Sequence, residues 1–389
     1  VRWARRQFIR PGRVERYSQM LIGIDGSRAT VADPTGTENY SARLIKALLK
    51  LNTDHQIRLY FNRPPAAELG LETSEHRVMP FPRLWTHLRL SWEMKQNPPD
   101  VLFVPSHVLP IVHPYRSVVT VHDLGFYYHP EAHTLGQNLY LRWSTRFNAR
   151  QAVRIVADSE FTRNDLAESY GIAKEKMVVV YPGRDESLSP VADQEVLDEL
   201  RARYSLPQSY LLYVGTLHPR KNLVRLVQAF RLAADRLAPD LCLVLSGRKG
   251  WMYDDIYAEV ERQGLANRVR FTGYVAQADM AALLSAAKAF VFPSLHEGFG
   301  FPVLEAMACG TPVLTSDRAS LPEVAGNAAL YVDPLDIEAM GAALVRVVSD
   351  QNLRLELVER GFDQIHRFSW RRCAEATLEV LEAAGRHVP

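Results

Sequence analysis

Short apolar runs alternate with stretches of helical spacing along almost the whole chain, which is the pattern of parallel sheets wrapped by helices. LIGID (21–25) and QIRLYF (56–61) flank a segment, 39–51, in which Leu44, Ala47, Leu48 and Leu51 share one helical face. Further runs at VLFVP (101–105), SVVTVH (117–122), RIVADS (154–159) and MVVVYP (177–182) complete one doubly wound unit. A polar stretch punctuated by Pro190 and Pro207 follows, and then the pattern restarts. Its second series is YLLYVG (210–215), LCLVLSG (241–247), VRFTGYV (269–275), AFVFPS (289–294) and TPVLTS (311–316).

Two α/β domains, 20–190 and 205–366, are therefore expected, behind an N-terminal extension (1–19) and ahead of a helical tail (367–389). Ser369 is placed to cap that tail, which is long enough to cross back onto the first domain. Two such sheets leave a cleft between the carboxyl ends of their strands, where open α/β sheets bind ligands.

Composition agrees with two cores, since 389 residues at 47% hydrophobic exceed what one core accommodates. A formal charge of only +2 argues against a dedicated nucleic-acid binder and leaves room for local basic patches. Cys242, Cys309 and Cys373 are too scattered for zinc or a disulfide framework and read as reduced thiols in the cytoplasm. No apolar run reaches the roughly 18 residues that span a bilayer. Attachment, if any, is peripheral, at the inner face of the membrane.

Two segments bear on that attachment. The opening carries six arginines from Arg2 to Arg16 against Glu15 alone, and reads either as an upstream extension or as a basic arm on anionic lipid. FPRLWTHLRLSWEMK (81–95) mixes Leu84, Trp85, Leu88 and Trp92 with Arg83, Arg89 and Lys95. It fits a helix lying on a membrane surface or an ordinary packed helix.

Candidate chemistry falls in the loops after the strands. In HEGFGFPVLEAMACGTPV (296–313), Gly298 and Gly300 permit a tight turn, Pro302 suits a first helical turn and Gly310 ends the helix. Each of Glu297 and Glu305 alone fits a solvated or dipole-complementing role. Around one glycine turn, as ionised acceptors, the pair suits vicinal hydroxyls. In VGTLHPRKNLVRLVQAF (214–230), Arg220 and Lys221 precede a helix with Asn222 as its expected N-cap, so cations and a helix dipole converge on a diphosphate site. Pro34-Thr35-Gly36-Thr37 cradles a phosphate or simply turns the chain, and His122 and Asp123 end the strand at 117–122. The chain lacks GxGxxG after its first strand, a P-loop and a nucleophile elbow, which argues against a nicotinamide enzyme, a triphosphatase and a serine hydrolase.

These motifs, with TGTENYSARLIKAL, TVHDL, VADSEFTRNDL, RFTGYV and LPEVAGNAALYVDP, resemble the family-4 glycosyltransferases, retaining enzymes of the GT-B fold with two Rossmann-like domains and an interdomain cleft. The PRKN motif and DVLFVPSHVLP look most like the branch containing mannosyltransferases of bacterial surface polysaccharides. The resemblance implies that Glu305 binds the donor ribose, that Glu297 binds the sugar and that Ser294, Gly298, Phe299 and Gly300 lie beside it. It further implies that Arg220 and Lys221 hold the diphosphate with Gly36 nearby, and that Tyr274 and Val275 border the base. Thr216 stands where many members carry an arginine, leaving Arg220 as the second cation. His122 would meet the transferred sugar, with His107 and Asp123 on the acceptor side.

The family's chemistry uses a nucleotide-sugar donor and a glycan or lipid-linked acceptor, with no cofactor and no metal. The sequence offers no DxD-type cluster in its cleft loops. GDP-mannose is the expected donor, ahead of a UDP-sugar. A phosphorylase or nucleotide-sugar epimerase of the same fold is the alternative enzyme, and a catalytically silent sugar-nucleotide-binding subunit the alternative of another class.

Overall fold

The computed structural model describes residues 19–31, 36–65, 70–71, 74–106, 108–130 and 134–387. The basic extension, Pro34, Thr35 and His107 lie outside the described residues.

Two all-parallel sheets form the frame. The first contains β1 (Leu21–Asp25), β2 (Gln56–Phe61), β3 (His76–Val78), β4 (Val101–Val104), β5 (Ser117–Val121), β6 (Arg154–Ala157) and β7 (Met177–Val179), in the order β3-β2-β1-β4-β5-β6-β7. The second contains β8 (Ser209–Val214), β9 (Leu241–Ser246), β10 (Val269–Gly273), β11 (Ala289–Phe292), β12 (Val313–Ser316) and β13 (Ala329–Val332), in the order β10-β9-β8-β11-β12-β13. Strand order reverses at β1/β4 and at β8/β11, the switch points where such sheets open a crevice. Every residue of β4, β5, β9, β11 and β12 is buried, because helices cover both faces of each sheet. This is an α/β GT-B architecture.

The helix Trp370–Gly385 belongs to the first lobe. Ser369 Oγ accepts from Arg372 N at its start, and Cys373, Ala374, Val380, Leu381 and Ala384 enter the core built by β1, β4 and the helix Gly36–Leu49. A Cβ on Gly183 would lie 2.2 Å from Trp370 N, so the chain returns through a gap that only glycine leaves open.

Several local expectations change. The strands β3 and β13 have no counterpart among the runs read as strands; β3 is a three-residue edge strand of sequence HRV, too short and polar to give an apolar signal. The first helix starts at Gly36 rather than 39. Asn222 does not cap with its side chain: it occupies the left-handed region at φ +63°, and its Nδ2 donates to Pro334 O at 2.6 Å. Segment 81–95 is not one regular helix either. Thr86–Leu90 is wound as π-helix and runs into the α-helix Ser91–Gln96, with Trp85 buried and its Nε1 donating to Met79 O. Among the described residues no helix is long and apolar enough to cross a membrane.

Candidate active site

A cavity of about 580 Å³ lies between the carboxyl ends of the two sheets. Gly36, Tyr40, Arg43, His122, Asp123 and Asp158 line it from the first lobe, and Thr216, Arg220, Lys221, Glu297, Gly298, Gly300 and Glu305 from the second.

Its second-lobe wall is a charge cluster. After β8, the His218 ring accepts from Arg220 N and the chain turns through Pro219–Lys221. Lys221 Nζ donates to Glu297 Oε1 at 2.5 Å, and an Arg220 guanidinium nitrogen donates to Glu297 Oε2 at 3.1 Å and also to His296 O. Ser294 Oγ donates to the same Oε1 at 2.5 Å. Burial would raise the Glu297 carboxyl, but Arg220, Lys221 and these hydrogen bonds hold it at about 2. Burial and the neighbouring Arg220 lower Lys221, while Glu297 and Asp123 outweigh burial and raise Arg220. The cations and the first glutamate, expected to grip different parts of a ligand, thus form one ion cluster.

Glu305 lies one turn into the helix Phe301–Ala308, which starts at Gly300 with φ +113° and carries Pro302 in its first turn. Burial and the nearby Asp185 raise its carboxyl to about 7, with Arg43 acting in the opposite direction. Arg43 reaches across to pair with Asp185, whose Oδ2 also accepts from Gln277 Nε2 at 3.1 Å. Sequence reasoning missed Arg43, although Gly36, Tyr40 and Arg43 repeat at helical intervals on the stripe that faces the cleft. Asp185 and Gln277 sit in loop and turn positions without such a signal.

On the opposite wall, His122 follows β5 and Asp158 follows β6. The register pairs Val121 with Ala157, so the next residues stand side by side and His122 Nδ1 lies 2.6 Å from Asp158 Oδ2. His122 Nε2 and Asp158 Oδ1 have no hydrogen-bond partner among the described residues. Burial lowers the imidazole, yet the Asp158 charge and hydrogen bond win and raise it; burial raises Asp158 despite His122. Asp158 was also missed, and its signal was a lone carboxylate directly after the apolar run RIVA. Asp123 turns back on its own loop, accepting from Gly125 N at 2.8 Å; burial raises it, but Arg220 and this bond carry it below the usual range.

The lobes touch at the glycine turn. A Cβ on Gly298 would sit 1.9 Å from His122 O. Gly298 O accepts from Ser159 Oγ at 2.7 Å, and Glu323 accepts from Glu160 N, Phe161 N and Tyr181 OH.

Not every candidate meets the cavity with its side chain. Val275 is buried in the second core and Ser294 acts through Glu297, whereas Phe299 lines the cavity while packing on Phe301 and Phe368. Tyr274 is exposed under the Arg248 guanidinium at 4.5 Å from its ring centre and is not among the lining residues. Gly36 has open space around it. Among the described residues no group of three or more His, Cys, Asp or Glu side chains is placed to hold a metal ion.

Comparison with known proteins follows the same division. The family described as Glycosyltransferase Family 4 matches residues 34–188, and that described as Glycosyl transferases group 1 matches 198–364. The chain is 32% identical over 90% of its length to the O-antigen chain mannosyltransferase B of Escherichia coli, covering 96% of that protein. It is 30% identical over 68% of its length to the serotype-specific mannosyltransferase WbdA of Escherichia coli, spanning 33% of that larger protein. Among solved structures, Anabaena Alr3699/HepE in complex with UDP-glucose superposes with a TM-score of 0.74 at 19% identity, over 94% of this chain and all of that one.

Proposed function

The chain belongs to glycosyltransferase family 4, and from that membership we propose a retaining, metal-independent transfer of mannose from GDP-mannose to a glycan or lipid-linked acceptor in surface polysaccharide synthesis. The observation that carries this reading is the cluster of Arg220, Lys221 and Glu297 on the cleft wall. Its three charges sum to one positive charge, which a donor diphosphate complements. As the diphosphate takes the cations, Glu297 is released to accept hydroxyl hydrogens from the sugar.

In the transfer, the bond from the anomeric carbon to the phosphate oxygen breaks and a bond to the acceptor oxygen forms on the same face. The acceptor proton passes to the departing phosphate oxygen, so no enzyme base is needed. Arg220 and Lys221 meet the charge that develops on the leaving diphosphate, a role filled elsewhere by a divalent metal. His122 Nε2 lines the sugar end, and Glu305 takes the ribose hydroxyls. A nucleotide diphosphate sugar as donor is supported by the UDP-glucose named with the Anabaena neighbour, and mannose by the names of the Escherichia coli relatives.

The test is a thermal-shift panel with GDP, UDP, GDP-mannose and UDP-glucose, followed by product analysis with the best donor in EDTA. Stabilisation by GDP-mannose and an α-linked product formed in EDTA are expected. An inverted product, activity that returns only with manganese, or sugar phosphate formed from free phosphate would overturn the proposal.

A further inference from the structure

The helix Leu135–Gln151 inverts part of the usual pattern: Leu141, Phe147 and Ala149 pack on the first-lobe core, but its other buried positions are polar. Its buried positions include Asn138, Ser144, Thr145 and Asn148, whereas Leu135 is 86% exposed and Leu139 69%, with Tyr140 and Trp143 exposed beside them. A surface helix ordinarily buries its apolar stripe and shows its polar one. The reversal is held in place by specific bonds: Asn138 Nδ2 donates to Phe126 O at 2.7 Å, and Asn148 Oδ1 accepts from Leu109 N at 3.0 Å.

A second apolar strip lies alongside. Leu84, Leu88 and Trp92 recur every fourth residue through the π-helical turn and are 63%, 50% and 59% exposed. His87 joins the strips, its Nε2 2.9 Å from Tyr140 OH and its ring edge-on to Trp143. Among the described residues the two strips themselves expose charge of one sign. The helix Leu135–Gln151 contains Arg142, Arg146 and Arg150 and no acid, and the one acid of segment 81–95, Glu93, is buried against Arg77 and Arg89.

We propose that this double strip docks the first lobe on an anionic phospholipid bilayer. Exposed leucines enter the acyl boundary, Trp92, Tyr140 and Trp143 sit at headgroup level, and the arginines meet lipid phosphate. A protein partner or a second copy of the chain would call for acids within the strips, whereas the exposed charges that the two strips themselves carry among the described residues are cations. Phe126, to which the helix is fastened, lines the cleft cavity, so docking brings the acceptor side of the cleft to the membrane. The inference goes beyond the transfer reaction and holds whichever sugar is transferred.

Vesicle flotation tests it, with phosphatidylcholine alone or mixed with phosphatidylglycerol, at low and high salt. Wild-type protein floats with the anionic vesicles and is released by salt. Leu135→Glu/Leu139→Glu and Arg142→Glu/Arg146→Glu each weaken binding at least about tenfold. Turnover with a water-soluble acceptor, measured in parallel, stays at the wild-type level in both variants and reports on the transferase reading separately. Failure of the wild type to bind anionic vesicles, undiminished binding by both variants, or a lipid-free dimer in sedimentation velocity that the leucine variant abolishes would overturn the proposal.

Discussion

His122 Nδ1 and Asp158 Oδ2 are 2.6 Å apart across the ends of two neighbouring strands, which leaves Nε2 as the ring nitrogen turned away from the protein's own partner. Asp158 therefore fixes the orientation of His122 and keeps its proton on longer. Asp158→Asn is expected to lower kcat by roughly 10- to 100-fold, the scale of losing a group that orients a functional histidine. Its donor KM stays close to wild type, and the titration of His122 moves to lower pH. A pH profile of kcat for both proteins checks this; an unshifted profile contradicts it.

The cluster at Glu297 makes two substitutions unequal. Lys221→Ala leaves Arg220 to pair with the carboxylate, so the protein folds and loses roughly 100-fold or more in turnover. Glu297→Ala leaves two cations in a largely buried place and costs about 3–5 kcal/mol of stability besides its effect on rate. Urea unfolding and steady-state kinetics on both variants measure the difference. Because Glu297 is held at about 2, its stabilisation is complete above the carboxyl's ordinary pKa of 4.5 and is lost as pH falls from there towards 2.

Glu305 behaves in the opposite sense. With its carboxyl raised to about 7, folding favours the protonated form, so its contribution to stability is lost as pH rises from the ordinary 4.5 through 7. Only the ionised form accepts from both hydroxyls of a diol. Donor affinity is thus expected to rise between pH 6 and 8 and then level off, and Glu305→Gln removes that dependence. Isothermal titration with the donor nucleotide across this range checks it.

Gly298 is a point of close approach between the lobes. Gly298→Ala places a methyl 1.9 Å from His122 O, which forces the lobes apart and separates the charge cluster from His122. Turnover falls by roughly 100-fold or more while the melting temperature changes little, as expected when catalytic groups lose their alignment. Small-angle scattering should show a larger radius of gyration; an unchanged radius with full activity contradicts the assignment.

How much of this was legible in the sequence depends on separation along the chain. The buried strands announced themselves as apolar runs, and the glycine turn with its two glutamates and the PRKN turn could be read locally. Three-residue β3 and the inverted helix Leu135–Gln151 gave no such signal, because an edge strand needs few apolar residues and an exposed apolar face mimics a buried one. Trp85 was grouped with Leu84 and Leu88 on regular spacing, but the π-helical turn after it rotates it inward. The contacts of Arg43 with Asp185 and of Gly298 with His122 join residues more than a hundred positions apart. Nothing local marks those pairs: the first depends on how the first lobe closes on itself, and the second on how two finished sheets come to face each other.

The returning helix Trp370–Gly385 has a consequence for synthesis in the cell. A nascent chain emerges from its N-terminal end and domains ordinarily settle in that order. Here the first lobe waits, since Ala374, Val380 and Leu381 complete a core begun by Ile22 and Ile24. The ribosome must translate the whole second lobe before the first can seal, and until then the apolar flank of β1 and β4 stays open to chaperones.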